Sequence, residues 1–224
     1  MSEKQYSFIP YISEEFDENE MLERSRGFHK WSEKRRSLRH FSSRPVPKEV
    51  MENIILTAST APSGANRQPW VFCLISNAEL KSKIRKLAEQ EEKKSYESRM
   101  NKEWLEAIKP LGTNWIKEFI DVAPWIVVVL KKPYDVDENG EKRINYYVSE
   151  SVGLASGFLL MAIHNAGLVA LTHTPSPMNF IAKALDRPEN ERPFLLVPVG
   201  FAAADAQVPD LKRKSKDDVI EYYG

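Results

Sequence analysis

One irregular stretch decides how the chain folds, and it reads Thr60-Ala61-Pro62-Ser63-Gly64-Ala65-Asn66-Arg67-Gln68-Pro69-Trp70. It lacks both the helical and the strand period of apolar residues. Its two prolines fix φ and remove amide donors, and its Ser-Gly pair permits a tight turn. The apolar run 71–75 follows and predicts a buried strand. Backbone N–H groups at the mouth of this strand can face a flat or anionic ligand, although an ordinary structural loop has the same composition.

A basic segment upstream of this loop is the second informative feature. It reads Lys34-Arg35-Arg36-Ser37-Leu38-Arg39-His40-Phe41-Ser42. Arginine guanidinium groups match phosphate oxygens in a bidentate geometry, and a serine hydroxyl can add a further hydrogen bond. A solvated basic turn or a patch that binds nucleic acid would have the same residues.

The composition excludes several classes of protein. The chain has 224 residues, with 32 Lys and Arg against 32 Asp and Glu. Because the charges balance, no overall field attracts nucleic acid or an anionic membrane, and we expect neither as a partner. The single cysteine, Cys73, excludes an internal disulfide and fits a reducing cytosol. It lies inside an apolar run, where we expect a buried thiol rather than a nucleophile.

The sequence contains no evident targeting segment or membrane span. Residues 1–5 lack the apolar run of a signal peptide. The longest apolar segment, residues 152–166, is interrupted by His164 and Asn165 and is too short to cross a bilayer. We therefore expect a soluble, cytoplasmic protein.

The apolar patterns predict an α+β fold with a mixed central sheet flanked by helices. The predicted strands are residues 71–75, 126–130, 168–172 and 195–199. The predicted helices are residues 21–38, 47–58, 77–95, 113–120, 148–166 and 178–185. Ser76-Asn77-Ala78-Glu79 predicts a capping box at the start of the third helix. The sequence Asp137-Glu138-Asn139-Gly140 predicts a turn.

We expect one domain over residues 1–224, with no linker. Residues 1–23 are predicted to form an acidic N-terminal arm, and residues 203–224 a C-terminal extension that is basic at first. Residues of about 90–112 hold few aliphatic side chains, which predicts a mobile lid. Gly153 and Gly157 share one face of the apolar helix 148–166 and would admit a second backbone, as at a dimer interface.

Several catalytic motifs are absent from the sequence. It contains no G-x-G-x-x-G, Walker A or G-x-S-x-G motif. The four histidines, at positions 29, 40, 164 and 173, lack the spacing of metal ligands. We therefore expect neither a metal nor a resident nicotinamide cofactor.

Two motifs together identify a family. Arg-Arg-Ser-x-Arg at residues 35–39, combined with Pro-Ser-Gly-Ala-x-x-x-Pro-Trp at residues 62–70, resembles the nitroreductase-like FMN-binding superfamily. With the later segments, from about residue 35 to residue 214, the chain is similar to the iodotyrosine deiodinase family. The resemblance implies an intertwined homodimer in which both subunits build each FMN site. Animal members carry an N-terminal membrane anchor, from which this sequence departs.

The resemblance also implies which residues contact FMN. The phosphate and ring-edge contacts on one protomer would be Arg35, Arg36, Ser37, Leu38, Arg39 and Arg213, and the other protomer would contribute Pro62, Ser63 and Gly64. Thr172, His173 and Thr174 follow the third predicted strand and would also bind the cofactor. Thr174 would be the catalytic hydroxyl, hydrogen-bonded to flavin N5, which favours one-electron steps. From the sequence alone, Thr174 could equally be a turn-forming hydroxyl, and His173 replaces a hydroxyl common in the animal enzymes.

The substrate implied by the resemblance is a halotyrosine or a related phenol. Glu92 and Tyr96 are four residues apart and share a helix face. In the family, Glu92 would bind the ammonium group, Lys117 the carboxylate and Tyr96 a further polar atom, while the Ala65 N–H would contact the phenolate. The implied reaction is reductive dehalogenation; the alternative is a general nitroreductase or quinone reductase. The reductant is external in either case, and the sequence does not choose between NADPH, NADH and a reductase partner.

Overall fold

The structure of the protein is a computed structural model that describes residues 6–224. Its α-helices are α1 (Glu18–Ser32), α2 (Lys48–Ser59), α3 (Ala78–Lys94), α4 (Lys102–Ile108), α5 (Phe119–Val122), α6 (Val148–Asn165) and α7 (Asn179–Ala184). Its strands are β1 (Trp70–Ile75), β2 (Trp125–Lys131), β3 (Tyr134–Val136), β4 (Lys142–Ile144), β5 (Val169–Ala170) and β6 (Arg192–Gly200). The α+β class and the four predicted sheet strands are confirmed.

The main sheet has the strand order β1-β2-β6-β5, and neighbouring strands are antiparallel. The prediction of a mixed sheet is wrong for these ladders, because the chain reverses direction between β1 and β2 and between β5 and β6, and β2 pairs with β6 in the opposite direction. In residues 6–224, a parallel pairing is recorded at an isolated bridge between Ser37 and Ala170. β3 and β4 form a separate hairpin around the predicted turn at residues 137–140.

Strand β2 divides the interior into two apolar layers. Residues 126–130 are 0% exposed, and their side chains alternate between the faces of the sheet. Val127 and Val129 join the layer covered by α2 and α6, and Ile126, Val128 and Leu130 join the layer covered by α3, α5 and α7. Because helices cover both faces of the sheet, residues 126–130 of β2 are all apolar.

One predicted helix cap, one predicted helix and one predicted helix end are wrong, each because a polar side chain or a sheet contact competes with the predicted hydrogen bonds. The N-cap of α3 is Asn77, whose side chain accepts the Leu80 amide, so the predicted Ser76–Glu79 capping box is not formed. The segment 113–118 stays irregular, where Asn114 Oδ1 accepts the Ile116 amide at 2.8 Å. Helix α1 ends at Ser32 instead of residue 38, and Leu38 donates its amide to the Ala170 carbonyl at 3.1 Å.

The chain divides into two compact units, residues up to Arg35 and residues 36–224. In the first unit, residues 6–16 have no regular secondary structure and Asp17 caps α1. The predicted arm 1–23 therefore ends in helix, and its residues 1–5 lie outside the described residues. The second unit contains both apolar layers and the largely exposed extension 203–224. That all 224 residues act as one domain stays a prediction. No helix in residues 6–224 is sufficiently long and apolar to span a bilayer.

Gly200, at the end of β6, provides a test of this packing. A Cβ at this position would lie 2.5 Å from Cδ of Pro124, whose ring cannot rotate away. We therefore expect Gly200→Ala to lower the free energy of unfolding by about 1–3 kcal/mol, the cost of overpacking. The measurement is denaturant unfolding at a fixed protein concentration.

The matched control is the same substitution at Gly27, inside α1, where nothing lies within 4 Å of the added Cβ. Gly27→Ala should be neutral or stabilise by up to about 1 kcal/mol, because alanine favours helix. Equal effects of the two substitutions would contradict the packing described at Gly200.

Candidate functional site

In the loop between α2 and β1, most backbone amides of residues 64–68 already have a hydrogen-bond acceptor in the protein. The Gly64 amide donates to Ser151 Oγ at 3.2 Å, and the Gln68 amide donates to Ser63 Oγ at 2.9 Å. The amides of Asn66 and Arg67 bond to carbonyls of the same loop. Within residues 64–68 of the described chain, the Ala65 amide is the one for which the structure records no acceptor. Ala65 is also exposed, so its N–H is available to a ligand.

The same loop holds an unusual backbone conformation. Ala65, Asn66 and Gln68 have φ values of 49°, 52° and 47°, in the left-handed region that non-glycine residues seldom adopt. Gly64 has no room for a side chain, because a Cβ would lie 2.9 Å from the Tyr146 carbonyl oxygen. Strained conformations of this kind cluster at functional sites, where the surrounding contacts hold them in place.

Ser151 is a residue of this loop's environment that sequence reasoning missed. It is buried on α6, and its hydroxyl accepts the Gly64 amide across the sequence. The sequence offers no signal for it, since a serine inside an apolar helix commonly bonds to its own helix.

From Ser37 onward, the basic segment lies along the edge of the sheet. Ser37 bridges Ala170 and is exposed, while the Leu38 side chain is buried and its amide is bonded to Ala170. The Arg36 guanidinium donates to the Pro209 carbonyl, which ties the C-terminal extension to this segment. Arg39 is half-buried, and burial lowers the pKa of its guanidinium. Arg35 ends the first compact unit, and Arg213 is exposed in the extension.

Residues 172–174 continue the sheet beyond β5. The His173 amide donates to the Leu196 carbonyl at 2.8 Å, and the Leu196 amide donates to the His173 carbonyl at 2.9 Å. His173 is buried, whereas Thr172 and Thr174 are exposed. Because side chains alternate along extended backbone, the two threonines share one side and His173 points to the other. The anchoring role of His173 was not predicted from the sequence.

His173 sits in an environment that keeps its ring neutral. Its ring makes an edge contact with Phe119 at 5.7 Å between centroids, and no partner for its Nε2 lies among the described residues. Burial, reinforced by the positive charges of Lys117 and Arg39, lowers the pKa of His173 to about 3.

The structure brings Glu92, Tyr96 and Lys117 together. Lys117 Nζ lies 3.1 Å from Glu92 Oε2, and the two side chains are 3% and 11% exposed. The ammonium group also lies 5.7 Å from the centre of the Tyr96 ring and donates to the Asn114 carbonyl. Burial lowers the pKa of Lys117, and the adjacent Glu92 carboxylate opposes this shift. Burial raises the pKa of Tyr96, and a hydrogen bond with the Thr113 side chain opposes this shift.

The predicted lid, residues 90–112, is helical in the structure. The end of α3 passes into a π-helical turn, Ser95–Arg99, which is followed by α4 and a 3₁₀ turn, Lys109–Leu111. Tyr96 lies in the π-helical turn, a feature frequent at functional sites. An open cleft of about 230 Å³ adjoins the lid's end, and Arg39, Thr113 and Phe119 are among the residues that line it.

Nucleophilic catalysis by cysteine and metal binding have little support among the described residues. Burial raises the pKa of the Cys73 thiol, which makes it a poor nucleophile. In residues 6–224, no three His, Cys, Asp or Glu side chains form a group suited to a metal ion.

Comparison with known proteins identifies the family. The model of the nitroreductase family matches residues 33–201. The chain belongs to the nitroreductase family. Within this family, the iodotyrosine deiodinase of Haliscomenobacter hydrossis is 58% identical over 97% of this chain and 98% of that protein. Iodotyrosine deiodinase 1 of Homo sapiens is 43% identical over 98% of this chain and 76% of that protein.

A solved structure of this family supports the same assignment. It is a crystal structure of oxidized iodotyrosine deiodinase bound to FMN and 3-iodo-L-tyrosine, and it matches with a TM-score of 0.73 at 29% identity. The match covers 88% of this chain and 98% of that chain. The predicted nitroreductase-like fold is therefore confirmed.

The burial of His173 predicts a pH dependence of stability. Unfolded chains bind a proton at histidine below about pH 6.5, whereas folded His173 does so only near pH 3. Stability is therefore lost as pH falls from 6.5 towards 3. We expect the free energy of unfolding of the wild type to fall by about 2 kcal/mol more than that of His173→Gln between pH 7 and pH 5.

The measurement is denaturant unfolding at both pH values. His29→Gln, on exposed helix α1, is the control for replacing a histidine as such. Parallel losses in the wild type and His173→Gln would show that His173 is protonated in the folded protein above pH 5.

Proposed function

We propose that the protein is an FMN-dependent iodotyrosine deiodinase that removes halogen from halotyrosines by one-electron steps. In the reaction, the aryl carbon–halogen bond breaks and an aryl C–H bond forms, with two electrons and one proton consumed and halide released. The observation that carries the proposal is the buried Glu92–Lys117 pair beside Tyr96, in a chain 58% identical to an iodotyrosine deiodinase.

The residues present fit FMN. Arg39 and the exposed Ser37 offer donors for an anionic phosphate or the ring edge, while Thr172 and Thr174 expose two hydroxyls on one side of an anchored strand. The proposed cofactor residues are Arg35, Arg36, Ser37, Leu38, Arg39, Pro62, Ser63, Gly64, Thr172, His173, Thr174 and Arg213. When bound, reduced FMN supplies the two electrons. The electrons enter from outside, from NADPH, NADH or a reductase partner.

The Ala65 N–H is proposed to hold the phenolate oxygen of the substrate. Within residues 64–68 it is the amide for which the structure records no acceptor, and the strained backbone fixes its direction. A preorganised N–H donor favours the anionic over the neutral form of a bound oxygen. The substrate therefore binds as phenolate, and ortho halogens assist by lowering the pKa of the phenol.

The head group of a free amino acid matches the charges of the Glu92–Lys117 pair. Breaking a buried ion pair without replacement costs about 3–5 kcal/mol. A zwitterion supplies an ammonium group for Glu92 and a carboxylate for Lys117, so each buried charge exchanges one partner for another. Tyr96 adds a hydrogen bond from the same helical segment. A phenol without a head group would make none of these contacts.

Thr174 is proposed as the catalytic hydroxyl beside the reactive edge of FMN. The two backbone bonds between His173 and Leu196 hold the position of its neighbour, so Thr174 needs no large rearrangement to present its hydroxyl. The lid residues of about 90–112 would then exclude water from the reacting atoms.

The proposed enzyme is a homodimer with shared sites, located in the cytoplasm. On α6, Leu154 and Phe158 are exposed at 50% and 41%, and Gly153 and Gly157 have open space where a side chain would be. These four residues form one face, since positions four apart align along a helix. An apolar face with two glycines can accept a second copy at close range.

The function is tested by ligand binding. The purified protein should be yellow with FMN, and 3-iodotyrosine should quench the flavin fluorescence far more strongly than 2-iodophenol. Glu92→Gln and Lys117→Ala should each weaken 3-iodotyrosine binding by at least about fivefold, which corresponds to the ~1 kcal/mol of a lost hydrogen bond.

The matched controls are Glu52→Gln and Lys48→Ala, from an exposed ion pair of 2.9 Å on α2, outside the lid. Both should bind 3-iodotyrosine as the wild type does. A colourless protein that takes up no FMN would exclude the flavin reading. Faster turnover of nitroaromatics, with no preference for iodotyrosine over iodophenol, would indicate a general nitroreductase.

The dimer is tested on α6. Because Leu154 and Phe158 are exposed, the double substitution to Asp should leave the core intact and convert the protein to a monomer that loses FMN. Light scattering and the visible spectrum measure the two outcomes. Val136→Asp, an exposed apolar residue of β3, is the control. A double variant that remains dimeric and retains FMN would rule out this face as the interface.

A further inference from the structure

Glu89 lies one helical turn before Glu92 on α3 and is not among the residues predicted to bind substrate. Its Oε1 accepts the backbone amide of Lys117 at 2.8 Å and the Arg85 Nε–H at 2.8 Å. The Glu89 side chain is only 18% exposed, so water competes weakly for these bonds.

Lys117 depends on this contact for its backbone position. It lies in the irregular segment 113–118, just before α5, so its amide has no helical acceptor. The structure records Glu89 as the partner of that amide, while the ammonium end of Lys117 faces Glu92. Two carboxylates one turn apart on α3 therefore hold the two ends of the same lysine.

Glu89 is itself braced from α5. Arg85 Nη1 donates to Asp121 Oδ2 at 2.8 Å, while its Nε holds Glu89. Lys81 Nζ donates to the carbonyls of Asp121 and Ala123, at 3.0 and 2.8 Å. This network ties α3 to α5 and to Ala123, directly after the segment that carries Lys117. Such multiply bonded side chains have little freedom to reorient.

We propose that Glu89 is a positioning residue that holds Lys117 in place to read the carboxylate of the substrate. The proposal rests on the proposed function. When the substrate ammonium group binds Glu92, the Lys117 ammonium group loses its ion-pair partner. The hydrogen bond from the Lys117 backbone amide to Glu89 then fixes the position from which the lysine side chain extends. Glu89 thus determines selectivity for substrates that carry a carboxylate, without touching them.

The test compares two ligands of the FMN-loaded enzyme, 3-iodotyrosine and 3-iodotyramine, which keeps the phenol and the ammonium group but lacks the carboxylate. Dissociation constants come from quenching of flavin fluorescence. Glu89→Ala should weaken 3-iodotyrosine binding by about tenfold, as for a lost hydrogen bond to a charged group, and should change the 3-iodotyramine constant much less. Glu89→Gln keeps an oxygen acceptor and should lose only about threefold.

Two further variants make the result specific. Glu52→Gln, from the exposed Lys48–Glu52 ion pair on α2 and outside the lid, should leave the ratio of the two constants unchanged. In a Lys117→Ala background, Glu89→Gln should have no additional effect on the ratio, because the group it positions is gone. Thermal unfolding of each variant identifies loss of fold, and Glu89→Gln remains informative if Glu89→Ala is unstable.

The outcomes separate this proposal from the proposed function. If Lys117→Ala lowers the selectivity for 3-iodotyrosine but the Glu89 variants do not, the positioning role is wrong and the deiodinase assignment stands. Equal weakening of both ligands in the Glu89 variants would also overturn the proposal, since it indicates a general structural role. If Lys117→Ala leaves the ratio unchanged, Lys117 does not read the carboxylate, and both proposals lose their basis.

Discussion

The complete burial of strand β2 is the constraint on which the rest of the structure depends. Its residues 126–130 have no contact with solvent, so its backbone groups need partners on both sides and its side chains need cover on both faces. Strands β1 and β6 provide the hydrogen-bond partners, and two sets of helices cover the two faces. The segments available for binding are therefore those that leave this frame at its edges: the loop before β1, the basic segment beside β5, and the residues before α5.

The candidate site contains a buried ion pair and a strained loop, and neighbouring residues stabilise both. Lys117 and Glu92 are almost fully removed from water, a state that is tolerable because each is the other's counterion. The loop at residues 63–68 holds three non-glycine residues at positive φ. Within residues 64–68, the structure records an acceptor for every backbone amide except that of Ala65. Both features are costly in a free chain, and both leave a specific group ready for a ligand: a matched pair of charges and one N–H.

The network of Arg85, Glu89 and Asp121 shows how a short helix can serve a binding site. Helix α5 has four residues and little intrinsic stability. Its position is secured by Phe119 and Ile120 in the apolar layer and by the ion pair from α3. Lys117 lies two residues before this helix, so the contacts that hold α5 also restrict the backbone of Lys117. A site built at the end of a packed element is more precise than one on a free loop.

The sequence by itself determined the class of fold, four strands of the main sheet, and the motifs at residues 35–39 and 62–70 that indicated the family. These features are local: apolar runs, turn residues and motif spacing act through neighbours in the chain. Tertiary structure decided the antiparallel ladders, the shift of the α3 cap to Asn77, and the unwinding of residues 113–118, because each depends on competition with a distant or alternative partner. It also decided which acid holds which end of Lys117. Glu89 and Glu92 look alike in the sequence, and only the packing of α3 against α5 brings one to the backbone amide and the other to the ammonium group.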